Sequence, residues 1–241
     1  MKINKVLALG VLTVTFAGSV FAQSQTVKRS RSEKTVEEDY LSNVEDIIIT
    51  ELATSEDYDN KLVALQYLEN AINEGRTSPD MVAALDGLAG ESAKSLSRTN
   101  GRVMNNYPDI RARACDLLGE IPSEESKNTL VSIATEDAEP MVVTAAIRSL
   151  GNIGINENDE VVNMIEFIQH RYAALNPTSS LALEILNAYE KLAPTVQDKG
   201  AMIQSISEIA SNYHFVTPVR TKALNLIRSL QGNSGSSSNE K

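Results

Sequence analysis

Apolar positions recur at helical spacing from about residue 35 to residue 230 of this 241-residue chain. Val36, Tyr40, Val44, Ile47, Ile48 and Leu52 fall on one stripe of 3.6-residue period, which predicts an amphipathic helix over 35–54. Thr35 and Glu38 add a capping-box pattern at its start. Further on, Val161, Ile165, Ile168, Tyr172 and Leu175 step by 4, 3, 4 and 3, and Met202, Ile206, Ile209 and Tyr213 lie along another such face. No strand-like alternation of useful length is present. The pattern predicts an all-α protein.

The helices repeat. PDIRARACDLLG (108–119) returns 32 residues later as PMVVTAAIRSLG (140–151), with Pro, the central Ala and the terminal Leu-Gly in register. A period of this length marks a stack of helical hairpins, in which each unit buries its apolar face only against its neighbours. Aligning on the small residue of each first helix gives Ala64, Ala114, Ala146, Ala182 and Ala223, at intervals of 50, 32, 36 and 41 residues. Second helices alternate with these over roughly 79–97, 123–136, 157–175 and 196–213. Pro79, Pro108, Pro140, Pro177 and Pro218 open helical patterns, whereas Pro122 and Pro194 follow them. No proline interrupts a helix, as the cost of an interior proline requires. The expected architecture is an all-α superhelix, an α-solenoid of about five hairpins over 35–230, with the helix at 35–54 covering its first end.

LVSIATEDAEPMVVTAAIRSLGNIG (130–154) resembles the HEAT repeats, in particular the short bacterial HEAT-like type. That pattern alternates a leucine-bearing helix, an acidic turn and a Val-Arg-x-x-Ala-x-x-Leu-Gly helix. Asp137 takes the acidic position, Arg111 and Arg220 take the arginine position, and Val143 replaces the arginine in the middle unit. The resemblance implies that Arg111 and Asp137, like Ala114 and Ala146, are structural and that the polar pair links adjacent units.

The two ends read differently from the middle. Lys2 and Lys5 precede an apolar run over 6–20, and Val20 and Ala22 fit a small-residue cleavage site. This is the layout of a secretory signal peptide over 1–22. The competing reading is a retained anchor, although the run is shorter than a spanning helix needs. The expected address is periplasmic or secreted. Residues 23–34, with the basic cluster KRSRSEK, read as a disordered linker, and residues 231–241 as a disordered Gly/Ser-rich tail. The net charge is −10, and it becomes more negative if Lys2 and Lys5 leave with the leader. An acidic chain of this kind argues against a nucleic-acid partner, which needs a Lys/Arg surface. The single cysteine, Cys115, sits beside Ala114 and reads as a small core residue.

Candidate chemistry is sparse. His170 and His214 are 44 residues apart, and no zinc, nucleophile or phosphate-loop motif is present, so the sequence implies no catalytic residue, metal or cofactor. Acidic clusters at 37–39, 124–125 and 157–160 fall in first turns of helices, where negative charge opposes the helix dipole. Asn156–Glu160 lacks the glycine and terminal glutamate of a calcium loop and reads as a helix cap.

The expected function is therefore recognition of a protein partner of the cell envelope, without bond-making. Repeat stacks present an extended concave surface, expected here on the second helices. Its candidate residues are Glu166, Gln169, His170 and Arg171, followed by Asp198, Lys199 and Gln204. A second candidate is the long first interval, whose excess falls at 96–107 and carries Arg98, Arg102 and Tyr107; it reads either as a tolerated insertion or as an anchor for a carboxylate or peptide. Two other readings stay open. One is a structural component that assembles end to end. The other is a lyase-type enzyme of the kind some HEAT-like proteins are.

Overall fold

A computed structural model describes residues 35–91, 98–99, 102–103 and 105–232, the two short pieces in backbone only. The expected leader, the linker and nearly all of the tail lie outside these residues. The described chain forms ten α-helices: α1 (Val36–Thr54), α2 (Tyr58–Asn73), α3 (Pro79–Ala89), α4 (Pro108–Leu118), α5 (Glu124–Glu136), α6 (Pro140–Ile153), α7 (Glu160–Leu175), α8 (Ser179–Leu192), α9 (Lys199–Ser211) and α10 (Thr217–Gly232). They stack as an all-α solenoid of helical hairpins. α2, α4, α6, α8 and α10 are the first helices, and α3, α5, α7 and α9 are the second helices.

Local chemistry sets the helix limits. Thr35 and Glu38 close the predicted capping box on α1, and Ser78, Ser123 and Asp198 accept backbone N–H bonds at the starts of α3, α5 and α9. Pro79, Pro108 and Pro140 occupy first turns, where their missing N–H costs nothing. α6 stops at Gly154, whose φ of 72° only glycine adopts without strain. The predicted second helix at 79–97 is shorter, ending at Ala89. The long first interval contains a two-residue antiparallel pair, β1 (Arg98–Thr99) with β2 (Arg102–Val103), which the sequence did not foretell. A ladder this short carries no alternation to detect. At the other end α10 runs through Gly232, into the expected tail.

The core runs through the middle of the stack. Ala64, Ala114, Ala146, Ala182 and Ala223, the five aligned alanines, are all buried. Beside them glycine sets the closest approach. A Cβ on Gly119 would lie 2.6 Å from Ser149 Cβ, and one on Gly151 would lie 2.8 Å from Ala188 Cα. First helices α4, α6 and α8 therefore meet almost backbone to backbone, while α5, α7 and α9 lie further apart. Leu118, Leu130, Ile133, Ile147 and Tyr189 fill the space between the layers.

α1 departs from its sequence reading. Most of the predicted stripe does not face the core: Val36, Tyr40 and Ile47 are 87%, 68% and 66% exposed, while Leu52 near its end packs against the core. The packed side is instead Asp46, Ile49 and Ala53, set against α2 and α3. Polar ties decide this orientation. Arg76 donates to Ser42 (3.0 Å), Glu45 (2.6 Å) and Asp46 (2.9 Å), and the buried Lys61 donates to the Ala53 carbonyl at 3.1 Å while pairing with Glu91 at 3.0 Å. Those bonds hold Asp46 inward and leave Val36, Tyr40, Ile47 and Ile48 in water.

Candidate partner-binding surface

Four of the ten candidate contact residues, Glu166, Gln169, His170 and Arg171, lie on α7. Its buried side carries Val161, Ile165, Ile168 and Tyr172. Asn163, Phe167, His170 and Ala174 recur at steps of 4, 3 and 4 on the opposite side, so they form its outer stripe. Phe167 is 57% exposed. His170 Nε2 lies 3.0 Å from Glu208 on α9, with both side chains open to solvent. Arg171 sits on the flank towards α5: Nη1 donates to the Thr135 carbonyl at 2.7 Å, and the guanidinium lies 5.1 Å from the ring centre of Tyr172. Glu166 is half-buried. The structure thus brings His170 to the surface and gives Arg171 a structural bond.

Gln169 faces inward and is buried, against the sequence reading. It follows Ile165 by four residues, which places it on the core side. Asp198 is an N-cap, accepting from Gly200 N at 2.8 Å, and Gln204 is exposed. Phe167 was missed. The available signal was its phase, since it falls outside the 4, 3, 4, 3 stripe of α7.

The long first interval contributes less than its composition suggested. Arg98 and Arg102 belong to the backbone-only pieces, so their side chains lie outside the described residues. Tyr107 is half-buried before α4, with its ring 5.1 Å from that of Tyr58 and tilted by 56°. It packs as part of the joint between α2 and α4, where the Tyr58 hydroxyl also donates to Asp109.

Two further polar sets tie the stack together, one within the α4–α5 hairpin and one between hairpins. Arg111 and Asp137 meet side on, Nε to Oδ2 at 2.8 Å and Nη2 to Oδ1 at 3.3 Å, both buried. Asp137 also accepts the Glu139 N–H at 2.8 Å, which fixes the turn between α5 and α6. At the next turn Asn156 accepts from Val161 N and Val162 N, the helix cap expected there. Asn158 and Asp159 have φ of 50° and 61°, and this turn aims the Asp159 carboxylate at the following joint. It accepts Gln197 N at 3.0 Å and Asp198 N at 2.9 Å. The Asp198 and Gln197 amides hold its carboxyl below the ordinary aspartate range, outweighing burial.

The outward face of the first helices is laced by ion pairs. Arg113 meets Glu69, Arg148 bridges Asp116 (3.0 Å) and Glu184 (3.4 Å), and Lys222 meets Glu190 at 2.6 Å. A ligand on that face would have to compete with existing partners. Among the described residues no group of three or more His, Cys, Asp or Glu is placed to hold a metal, and no helix is long and apolar enough to cross a membrane. Cys115 is buried in α4, and burial pushes its thiol far above the ordinary range.

Comparison with known proteins gives one family. The model for HEAT repeats matches residues 103–173, which run from β2 through α4, α5 and α6 to α7. No curated protein and no solved structure gives a significant match.

Proposed function

Because this chain carries HEAT-like repeats, we propose that it is an exported, non-catalytic scaffold that recognises a protein partner of the cell envelope on its second-helix face. The carrying observation is the outer stripe of α7, where the exposed Phe167 stands beside the His170–Glu208 pair. An aromatic anchor ringed by polar groups is the arrangement that concentrates binding energy in interfaces. The first-helix face, by contrast, has its charges engaged in cross-helix pairs. Export is supported by the leader layout of residues 1–22, and a protein partner rather than nucleic acid by the acidic charge.

The test is a photo-crosslinking amino acid at position 167 or 204 in intact cells, read by mass spectrometry. A discrete envelope protein is expected from both positions, and the product from position 204 should be lost when His170→Ala is combined with Phe167→Ala. Crosslinks to cytoplasmic proteins alone, or the same product from a position on the first-helix face such as Asn152, would overturn the proposal.

A further inference from the structure

The two ends of the stack are finished differently. At the C-terminal end, α10 turns Thr217, Thr221, Asn225 and Arg228 outward with one exposed leucine, Leu224. By the repeat register Arg228 stands near the place that Gly119 and Gly151 hold, where the next first helix packs. A long charged side chain there closes the stack, as a terminal repeat requires. At the N-terminal end the opposite holds. Val36, Tyr40, Leu41, Ile47 and Ile48 form an exposed stripe along α1. On α2 Val63 and Tyr67 are 44% and 39% exposed, on the side away from Glu69 and hence away from α4. Seven exposed apolar residues on two helices packed against each other at one end of the stack point to an interaction surface.

Charge decides what covers it. α1 has no lysine or arginine; Glu37 and Glu51 fall within the stripe and Glu38 and Asp39 at its margins, all four in solvent. Beside Ile47 a groove of ≈ 390 Å³ is lined by Asp46, Thr50, Glu51 and Asp80. Asp46 already pairs with Arg76, which leaves Glu51 and Asp80 to meet a cation entering this groove. A second copy docked through α1 would set these carboxylates against their own kind. An anionic lipid surface would meet the same repulsion on α1 itself, with the basic cluster at 28–34 preceding the helix. Helix α10 of another copy offers Leu224 alone to a stripe of five apolar residues, with the exposed Tyr213 and Val216 set in the joint before that helix rather than along it.

We propose that the outer face of α1 docks an amphipathic helix of a partner protein, one whose apolar stripe is flanked by lysine or arginine. Helix-in-groove recognition of this kind takes affinity from the apolar seam and selectivity from the flanking charges. The inference rests on the reading of the chain as an interaction scaffold, but it concerns a surface separate from α7.

The experiment titrates the full chain with two synthetic helical peptides that share one leucine stripe, flanked by lysines in one and by glutamates in the other. Fluorescence anisotropy is expected to show the lysine peptide binding at least about tenfold tighter at low salt, with the preference collapsing near 0.5 M salt as charges are screened. Ile47→Asp should abolish binding, and Glu37→Lys with Glu51→Lys should reverse the preference. Both changes are on exposed positions, and unchanged thermal melting would verify that the fold is kept. Equal binding of both peptides, no binding of either, or a preference unmoved by the charge reversal would overturn the proposal. So would a dimer in sedimentation, or capture by phosphatidylglycerol vesicles, that Ile47→Asp removes. The crosslinking at position 167 is independent of all these outcomes, so either proposal can fail alone.

Discussion

At the scale of single residues, the stack is joined by charges that have given up water. Arg111 and Asp137 are both buried, and each satisfies the other with two bonds. Breaking such a pair from one side costs more than the pair contributes, because the remaining charge stays buried. Arg111→Ala is expected to lose about 3–5 kcal/mol in urea unfolding, while Arg111→Met combined with Asp137→Leu loses less than the single change. Asp159 makes a pH-dependent joint between the α6–α7 turn and the start of α9. Its carboxyl titrates lower in the folded chain than in the unfolded one. The stabilisation is therefore present above the unfolded value of about 3.9 and lost as pH falls through the folded value. Melting temperatures of the native chain and of Asp159→Asn should differ at neutral pH and converge in acid. The importance of Arg111 was legible from the repeat pattern. Asp159 was not, because its partners are backbone amides 38 and 39 residues away.

At the scale of helices, glycine rather than leucine sets the spacing of the first layer. In an isolated helix Gly→Ala gains about 1 kcal/mol. At Gly151 the new Cβ would meet the Ala188 backbone, which cannot move without shifting α8. Overpacking of this kind costs about 1–3 kcal/mol, so Gly151→Ala should be a net loss and Gly151→Val a larger one, read as lowered denaturant midpoints. Sequence reading attributed the close approach to the central alanines. Those are indeed buried, but the tightest contacts are one turn further on. α1 shows the same limit in another form. Its period was right, yet the side that packs is the one bearing Asp46, Ile49 and Ala53. A helical period gives an amphipathic direction, and the Arg76 and Lys61 bonds overrode it.

At the scale of the whole molecule, the sequence by itself determined the class of object. The recurring alanines, the prolines at helix starts and the 32-residue match dictate stacked hairpins, because each hairpin can bury its apolar face only against the next. The same logic marked the long first interval as irregular, without revealing that β1 and β2 occupy it. What the tertiary structure alone decided is which surfaces remain. It put His170 beside Glu208, turned Gln169 inward, tied Arg171 to Thr135 and laid the apolar stripe of α1 open to solvent. The physical reason is one of range. Periodicity and capping are local, so they survive in sequence. Exposure is set by neighbours thirty to forty residues away, and only the packed stack brings those neighbours together.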